Sequence, residues 1–335
     1  MKFFDNYSLK HFNTFGIDVK AKQFGIFTNK EMLQQFLSEF EDGKPPLILG
    51  GGSNVLFTKD VDCVLKNEIP GIELTSQDEE SVVLTAGAGV NWHSFVLYCL
   101  DHDYAGAENL ALIPGNVGAT PMQNIGAYGV EVKDIFHSLQ TIDIMNGEEM
   151  YFDKAACEFG YRDSVFKRRL KNKYVITNVS FRLLKKPVFH TSYGAIEAEL
   201  GKMNVTAVSI KAIAQAVMNI RKSKLPDPAV IGNAGSFFKN PEISAEKYNS
   251  LKAQFTNLVA YSTLNGFKLA AAWLIEQCGW KGFREGDAGC HPLQPLILVN
   301  YGQANGGQIL ELSNRIQDSV VKKFDIILEK EVNVL

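Results

Sequence analysis

The sequence of 335 residues lacks most of the features that assign a protein to a class by composition alone. Its five cysteines are scattered, and no two of them are spaced as CxxC. This argues against a disulfide scaffold or a zinc site, and it indicates a reduced protein without a metal. The 34 basic and 37 acidic residues leave a net charge of −3. A nucleic-acid partner is therefore not expected, because such binding needs a basic footprint.

Signals for membranes and for secretion are also missing. No apolar run approaches the ~18–20 residues that a membrane span needs. The first 18 residues hold no apolar core of a signal peptide, so the sequence predicts a cytoplasmic protein without contact to membranes. Apolar residues make up 46% of the chain, which is enough for packed cores. The length exceeds the ~250–300 residues of a single core, so two or three domains are expected.

Helical and strand patterns alternate without the regular rhythm of a parallel α/β sheet, which predicts an α+β fold. The spacing predicts a helix over 30–40, and Asn91 is a candidate N-cap for a helix over Trp92–Leu100. A hairpin is predicted around Asn146-Gly147, and Leu225–Pro228 marks a domain boundary. Further predicted helices are Thr206–Lys224, Phe267–Cys278 and Gln308–Phe324, and further predicted strands are Tyr174–Leu184, Leu296–Val299 and Ile326–Val334.

Two glycine-rich segments are candidates for ligand binding. Gly50–Asn54 joins two short strands, and consecutive backbone N–H groups in such a turn can hold an anion. It fits neither the Rossmann nor the P-loop pattern, and a plain hairpin turn explains it equally well. The second segment, Ile113–Gly129, combines small residues with the amides of Gln123 and Asn124. Together they suggest an extended ligand such as a dinucleotide, while the alternative is a long loop without function.

Three further segments carry residues with possible chemistry. Arg162, in FGYRDS, is either an anion-binding residue or a solvated loop arginine. Ser236, in GNAGSFFKNP, lacks the elbow of a serine hydrolase, but its hydroxyl could donate a proton beside two phenylalanines. Glu329 and Glu331 would share one face of a terminal strand, where two carboxylates are more often simply solvated.

Taken together, these segments resemble the UDP-N-acetylenolpyruvoylglucosamine reductase family of flavoenzymes. The resemblance covers nearly the whole chain in order, and it implies a two-subdomain FAD-binding unit similar to the vanillyl-alcohol-oxidase (PCMH-type) flavoproteins, plus a C-terminal α+β substrate-binding domain. The implied boundaries are 1–66 completed by the strand 326–335, then 67–224, then 225–325, with a PCMH-type region at about 16–186. The matching motifs are NTFGID at 13–18, LGGGSNVL at 49–56, ENLALIPGNVGATPMQNIGAYGVE at 108–131, FGYRDSVFK at 159–167, KLPDP at 224–228, GNAGSFFKNP at 232–241 and the terminal 329–332.

The resemblance also implies a reaction and its cofactors, FAD and NADPH. NADPH would reduce the flavin, and UDP-N-acetylglucosamine enolpyruvate would then bind in the same cleft of a monomer. Hydride would pass to the β-carbon of the enolpyruvyl group, giving UDP-N-acetylmuramate for peptidoglycan synthesis. Arg162 would bind the substrate carboxylate, a protonated Glu331 would hydrogen-bond it, and Ser236 would protonate the α-carbon.

The remaining site residues follow from the matching motif positions. The implied substrate residues are Tyr193, Lys224, Asn240, Tyr261, Lys268 and Gln294. The implied flavin-binding residues are Gly50, Gly51, Gly52, Ser53, Asn54, Ile113, Pro114, Gly115, Gly118, Ala119, Gln123, Asn124, Gly126, Tyr128, Ile176 and Arg221.

Two other functions stay open at this point. A flavin oxidase would pass its electrons to oxygen, and such enzymes often carry the flavin on a histidine, which both glycine-rich segments lack. A catalytically inactive sensor of nucleotide sugars would be expected to lose Arg162, Ser236 or Glu331, and all three are present.

Overall fold

The structure, a computed structural model, describes residues 2–39, 45–193 and 195–335. The chain divides into two compact units. Within the described residues, unit 1 contains 2–7, 21–39, 45–51, 61–193 and 195–223, and unit 2 contains 8–20, 52–60 and 224–335. The domain boundaries that the resemblance implies stay a prediction.

The described residues form the following helices and strands, each numbered in chain order. The helices are α1 (Lys30–Ser38), α2 (Trp92–Asp101), α3 (Val132–Ile135), α4 (Ala195–Lys202), α5 (Ile210–Lys224), α6 (Ala245–Gln254), α7 (Ala271–Gln277) and α8 (Gly306–Phe324). The strands are β1 (Phe4–Ser8), β2 (Lys20–Phe27), β3 (Leu47–Leu49), β4 (Val55–Leu56), β5 (Val61–Asn67), β6 (Ile72–Gln77), β7 (Ser81–Gly87), β8 (Gly126–Ala127), β9 (Val130–Glu131), β10 (Phe136–Asp143), β11 (Glu149–Asp153), β12 (Tyr174–Leu184), β13 (Gly232–Ser236), β14 (Glu242–Ile243), β15 (Ala260–Thr263), β16 (Gly266–Leu269), β17 (Arg284–Glu285), β18 (Ala288–Cys290), β19 (Ile297–Asn300) and β20 (Asn333–Val334).

Unit 1 contains two larger sheets and a small hairpin of β8 and β9. The first sheet has the order β1-β2-β5-β3, and β5 runs parallel to both β2 and β3. The second sheet is antiparallel, with the order β11-β10-β12-β7-β6. One buried cluster contains side chains from both sheets, including Phe27 of β2, Phe36 of α1 and Val175 of β12. The two sheets of unit 1 therefore share apolar packing.

The larger core of unit 1 packs helix α2 against the antiparallel sheet. Trp92 and Phe95 of α2 are fully buried and lie 5.5 and 4.7 Å, between ring centroids, from Phe181 of β12. Helix α2 begins after Asn91, whose side chain accepts a hydrogen bond from Ser94 N at 3.0 Å. The predicted N-cap is therefore confirmed, and it fixes where the helix starts.

Unit 2 is built on the antiparallel sheet β13-β19-β18-β17 and the long helix α8. A capping box of Asn305 and Gln308 begins α8, and Asp325, with φ of 55°, ends it. A second antiparallel sheet has the order β14-β16-β15, and β20 pairs in parallel with β4. The last residues of the chain are thus joined to residues near position 55.

Three predicted elements differ from the structure. The predicted helix at 267–278 is wrong over its first turn, because a turn at Gly266, with φ of 157°, folds β16 back on β15 and the helix starts only at Ala271. The predicted helix at 206–224 starts at Ile210. The predicted strand at 326–334 is reduced to β20 and one bridge at Lys330. The last predicted residue of α1, Phe40, lies outside the described residues.

All five cysteines are free, and burial raises the pKa of Cys63, Cys157 and Cys290 to about 12. These thiols are therefore protonated at neutral pH.

Over the three described ranges, no helix combines the length and the apolar character that crossing a membrane requires.

Candidate functional site

The two glycine-rich segments meet in unit 1. A Cβ atom added to Gly51 would lie 2.7 Å from Gly115 Cα, so only glycine allows this approach. The backbone of the second segment also runs along 88–92, where Val117 N donates to Val90 O at 2.8 Å and Trp92 N to Gly115 O at 2.9 Å. The same two segments contain five more of the predicted flavin residues: Gly50, Ile113, Pro114, Gly118 and Ala119. Ile176 lies on β12 of this unit.

A cationic cluster adjoins the second glycine-rich segment. Arg221, on α5, donates through Nε to Leu112 O at 3.2 Å, and His93 Nδ1 accepts from Leu112 N at 3.1 Å. No carboxylate within the described ranges forms an ion pair with Arg221, and burial lowers the pKa of its guanidinium. Burial, with the charges of Lys222 and Arg221, also lowers the pKa of His93. A buried cation beside a glycine-rich loop has the chemistry to hold an anionic group.

A pair of tyrosines lies at the far end of the second segment. The rings of Tyr128 and Tyr193 meet edge to face, with centroids 5.8 Å apart. Asn109 joins the two loops, because its Nδ2 donates to Tyr128 O at 3.0 Å and to His190 O at 2.8 Å. Tyr193 is about half exposed. The structure thus places a predicted substrate residue beside a predicted flavin residue within unit 1.

Arg162 lies in a tight turn of unit 1 with a left-handed backbone, at φ of 51°. Its Nη2 donates to Gly126 O at 2.5 Å, and its Nη1 lies 3.8 Å from Glu131 Oε1. Asn124, a predicted flavin residue, is fully buried, and its amide bonds to Glu131, Gly160 and Lys133. Gln123 lies beside Asn124 in the same loop.

In unit 2, the end of the first glycine-rich segment meets the C-terminal residues. Asn54 Nδ2 donates to Glu331 O at 3.3 Å, and Asn333 N donates to Asn54 O at 3.1 Å. Glu331 N in turn donates to Phe237 O at 2.8 Å, one residue after Ser236. The structure therefore brings together Asn54, Ser236 and Glu331, three residues that are far apart in the sequence. Gly52 and Ser53 precede Asn54 in the same unit.

The two glutamates of the C-terminal segment have different surroundings. Glu329 is largely exposed, and its carboxylate forms an ion pair with Lys239 at 2.6 Å. Glu331 is partly buried, and its backbone N–H donates to the carbonyl oxygen of Phe237. One bridge, between Phe238 and Lys330, joins these described residues to the neighbouring segment, with no regular strand over 329–331. The shared face of Glu329 and Glu331 stays a prediction.

Predicted substrate residues of unit 2 gather at the sheet β14-β16-β15. Tyr261 and Lys268 are direct cross-strand partners, and Asn240 lies two residues before β14. The side chain of Asn240 accepts a hydrogen bond from Ala271 N at 2.9 Å, which fixes it at the start of α7. Gln294 lies apart from this group, in the loop between β18 and β19. Lys224 is the last residue of α5.

Comparison with known proteins decides the family. Residues 227–335 match the family described as UDP-N-acetylenolpyruvoylglucosamine reductase, C-terminal domain, and residues 23–152 match the family described as FAD binding domain. The UDP-N-acetylenolpyruvoylglucosamine reductase of Amoebophilus asiaticus is 49% identical over 99% of this chain and 98% of its own. That of Pseudomonas putida is 49% identical over 98% and 97%. This chain belongs to the UDP-N-acetylenolpyruvoylglucosamine reductase family.

The family assigns a fold and a cofactor to this reductase. The crystal structure of the corresponding reductase from Thermus caldophilus matches with a TM-score of 0.70 and 24% identity, over 100% of this chain and 99% of that one, which shows a common fold. The predicted α+β fold, with an FAD-binding region and a C-terminal reductase domain, is confirmed. This reductase is a flavin-dependent oxidoreductase, and its cofactor is FAD.

The residues of unit 1 fit that cofactor. The close approach of Gly51 to Gly115 builds a loop of the kind whose backbone N–H groups can hold a diphosphate, and the guanidinium of Arg221 supplies a buried positive charge. Two residues beside these segments, His93 and Glu131, are not among the residues predicted from the sequence. His93 lies two residues after the N-cap of α2, and Glu131 ends the longest quoted motif.

Proposed function

We propose that this chain reduces UDP-N-acetylglucosamine enolpyruvate to UDP-N-acetylmuramate, a precursor of peptidoglycan, with NADPH as the source of hydride. The observation that carries the proposal is the backbone junction in unit 2. There Asn54 of the glycine-rich loop binds Glu331 O, and Glu331 N binds Phe237 O next to Ser236. The proposed flavin-binding loop is thus bonded to the backbone of Glu331, which is bonded in turn to the residue after Ser236.

The overall reaction consumes one hydride from NADPH and one proton. FAD, when bound, supplies a two-electron carrier that accepts this hydride and delivers it to the β-carbon of the enolpyruvyl double bond. The double bond is reduced and NADP⁺ is released. The α-carbon then needs a proton, which the Ser236 hydroxyl donates and recovers from solvent.

Arg162 and Glu331 stabilise the charge that develops on the substrate during hydride transfer. The negative charge spreads over the α-carbon and the carboxylate, and the planar guanidinium of Arg162 matches that carboxylate. Preorganised charges are usually the largest contribution to catalysis of this kind. A protonated Glu331 adds a hydrogen bond to the same carboxylate. The turn that holds Arg162 supports this role, because it keeps the guanidinium partly buried, with 18% of the side chain exposed.

The nucleotide part of the substrate is held by the other predicted residues. The pair Tyr261 and Lys268, with Asn240 beside it, offers one ring, one cation and one amide for the uridine and the diphosphate. Tyr193 covers the substrate from its partly exposed loop. Lys224 and Gln294 complete the proposed set. NADPH uses the same cleft before the substrate enters, and the proposed enzyme is a cytoplasmic monomer.

An anaerobic two-step titration tests this function. NADPH should bleach the visible absorbance of the flavin, and UDP-N-acetylglucosamine enolpyruvate should restore it with release of NADP⁺. Rapid NADPH consumption that requires only air would instead identify an oxidase. Colourless protein that binds the nucleotide sugar would identify a sensor.

The variant Ser236→Ala tests the proton donor within the same titration. Bleaching by NADPH should proceed at the wild-type rate, and recovery with substrate should slow by about 100-fold or more. Ser250→Ala is the matched control, because Ser250 is an exposed residue of α6 in the same unit. Equal slowing of both steps by Ser236→Ala would contradict the assigned role.

A further inference from the structure

The turn that carries Arg162 is held in a strained conformation. Arg162 has φ of 51°, a region that residues with a Cβ rarely adopt. The neighbouring residues Gly160 and Asp163 bond to each other through their backbones, which closes the turn. Tyr161 stacks beside the guanidinium at 5.2 Å from its ring centroid. The surroundings must therefore stabilise this turn against relaxation.

Asn124 ties this turn to the strand β9. Its Nδ2 donates both to Gly160 O at 2.9 Å and to Glu131 Oε2 at 3.0 Å, and its Oδ1 accepts from Lys133 N at 3.0 Å. Asn124 is fully buried and itself has φ of 45°. Its amide thus connects the backbone of the Arg162 turn to the carboxylate of Glu131.

The carboxylate of Glu131 lies close to the guanidinium of Arg162. Gly126 and Glu131 are cross-strand partners, and Arg162 Nη2 donates to Gly126 O at 2.5 Å. A Cβ atom on Gly126 would lie 2.8 Å from Glu131 Cγ and 3.0 Å from Arg162 Nη1. Glycine at 126 therefore makes room for the two charged groups, and it leaves Nη1 3.8 Å from Glu131 Oε1.

The two oxygens of Glu131 have separate partners. Oε2 accepts from Asn124 and forms an ion pair with Lys133 Nζ at 2.6 Å, while Oε1 faces Arg162. Most of the Glu131 side chain is covered, with 23% exposed. An ion pair in partly buried surroundings, with one oxygen fixed by other groups, restricts the rotamers of the arginine.

We propose that Glu131, linked through Asn124, is a positioning residue that fixes the Arg162 guanidinium for the substrate carboxylate. The inference rests on the proposed function, because that proposal assigns Arg162 to the carboxylate. Glu131 acts through Arg162 and does not contact the substrate. Without Glu131 the guanidinium keeps its charge but samples more orientations, so the barrier to hydride transfer to the substrate rises.

The variants Glu131→Ala and Glu131→Gln test this role by stopped-flow measurement of the two half-reactions. The recovery of flavin absorbance with substrate should slow by about 10–100-fold in Glu131→Ala and less in Glu131→Gln, which keeps an oxygen for Asn124. Bleaching by NADPH should stay within about twofold of wild type. Glu148→Gln, an exposed change in the β10–β11 turn of the same unit, is the control.

Arg162→Lys and the double variant Arg162→Lys/Glu131→Ala separate the possible failures. If Arg162→Lys does not slow the substrate step, the proposed function is wrong at Arg162, whatever Glu131 does. If it does slow that step, Glu131→Ala should add little to it, because both changes remove one interaction. Additive effects, equal slowing of both half-reactions, or a Glu131→Ala variant that matches the control would each overturn the positioning role.

Discussion

Asn54 and Glu331 are 277 residues apart in the sequence, yet Asn54 Nδ2 donates to Glu331 O at 3.3 Å. Thr58 adds a second anchor on the same segment, since both its N and its Oγ1 donate to Leu335 O, at 2.8 and 2.6 Å. With the pairing of β20 and β4, these bonds attach the C-terminal residues to the end of the first glycine-rich segment and the chain that follows it. This attachment fixes the backbone of Glu331.

We expect Asn54→Ala to loosen Glu331 more than Thr58→Val does. The first change removes the contact at Glu331 itself, and the second removes only the hydroxyl contact at the chain end. The loss of one such hydrogen bond costs about 0.5–1.5 kcal/mol. Hydrogen exchange of residues 331–335 should accelerate in both variants, but only Asn54→Ala should also slow the substrate step. Slowing by Thr58→Val to the same degree would contradict the local role of Asn54.

Arg221→Met should weaken FAD binding without a matching loss of stability in the FAD-free protein. In the FAD-free protein, burial of the charged Arg221 guanidinium costs desolvation energy, and in the predicted complex this group pairs with an anionic group of FAD. The variant removes both effects. Charge-assisted hydrogen bonds contribute about 1.5–3 kcal/mol, so the dissociation constant should rise by about 10–100-fold. The measurement is flavin fluorescence on titration, with melting temperatures of both forms. Lys211→Met, an exposed change on the same helix, is the control, and an equal effect there would contradict the prediction.

Local signals in the sequence were sufficient to predict a helix that starts at a capping residue and a strand with alternating apolar residues. Asn91 caps α2 as predicted, and the alternating residues of 174–184 form β12 with the predicted bounds. The error at 267–278 arose because Phe267 and Leu269 suit either a helix or a strand. Pairing with β15, which depends on the turn at Gly266, decided between the two.

The candidate site was less accessible to such reasoning than the fold. Asn54, Ser236 and Glu331 lie on three distant segments, and no spacing in the sequence shows that Glu331 bonds to Asn54 and to the residue after Ser236. Only the resemblance to a family grouped them. Glu131 escaped notice for a different reason: a glutamate at the end of a short strand has no periodicity to distinguish it, and only the room left by Gly126 shows its contact with Arg162.

His93 should make the protein less stable in mild acid. Its folded-state pKa lies below the ordinary value of about 6.5, because the ring is partly buried near Arg221 and Lys222. Below pH of about 6.5 the unfolded chain therefore binds a proton that folded His93 does not, and the free energy of unfolding falls as pH decreases. His93→Gln should flatten this dependence in urea titrations between about pH 7 and pH 5.

Glu108 should have the opposite dependence on pH. It is buried, its Oε2 accepts from Gly106 N at 2.6 Å, and its Oε1 has no hydrogen-bond partner among the described residues. Burial raises the pKa of this carboxyl above its ordinary value. The folded state thus holds the proton more tightly than the unfolded state, and the contribution to stability is lost as pH rises through the folded-state pKa.

The variant Glu108→Gln should therefore be more stable than wild type at neutral pH and lose this advantage in acid. Glutamine keeps an oxygen for Gly106 N but never ionises, so it avoids the cost of a buried carboxylate. A gain of about 1 kcal/mol or more is expected at pH 7.5, because a charged group without its second partner costs at least this much. Urea unfolding at pH 7.5 and pH 5 measures the difference, and the exposed Glu197→Gln on α4 is the control. A gain for Glu108→Gln that is equal at both pH values would mean that the carboxyl does not ionise in this range.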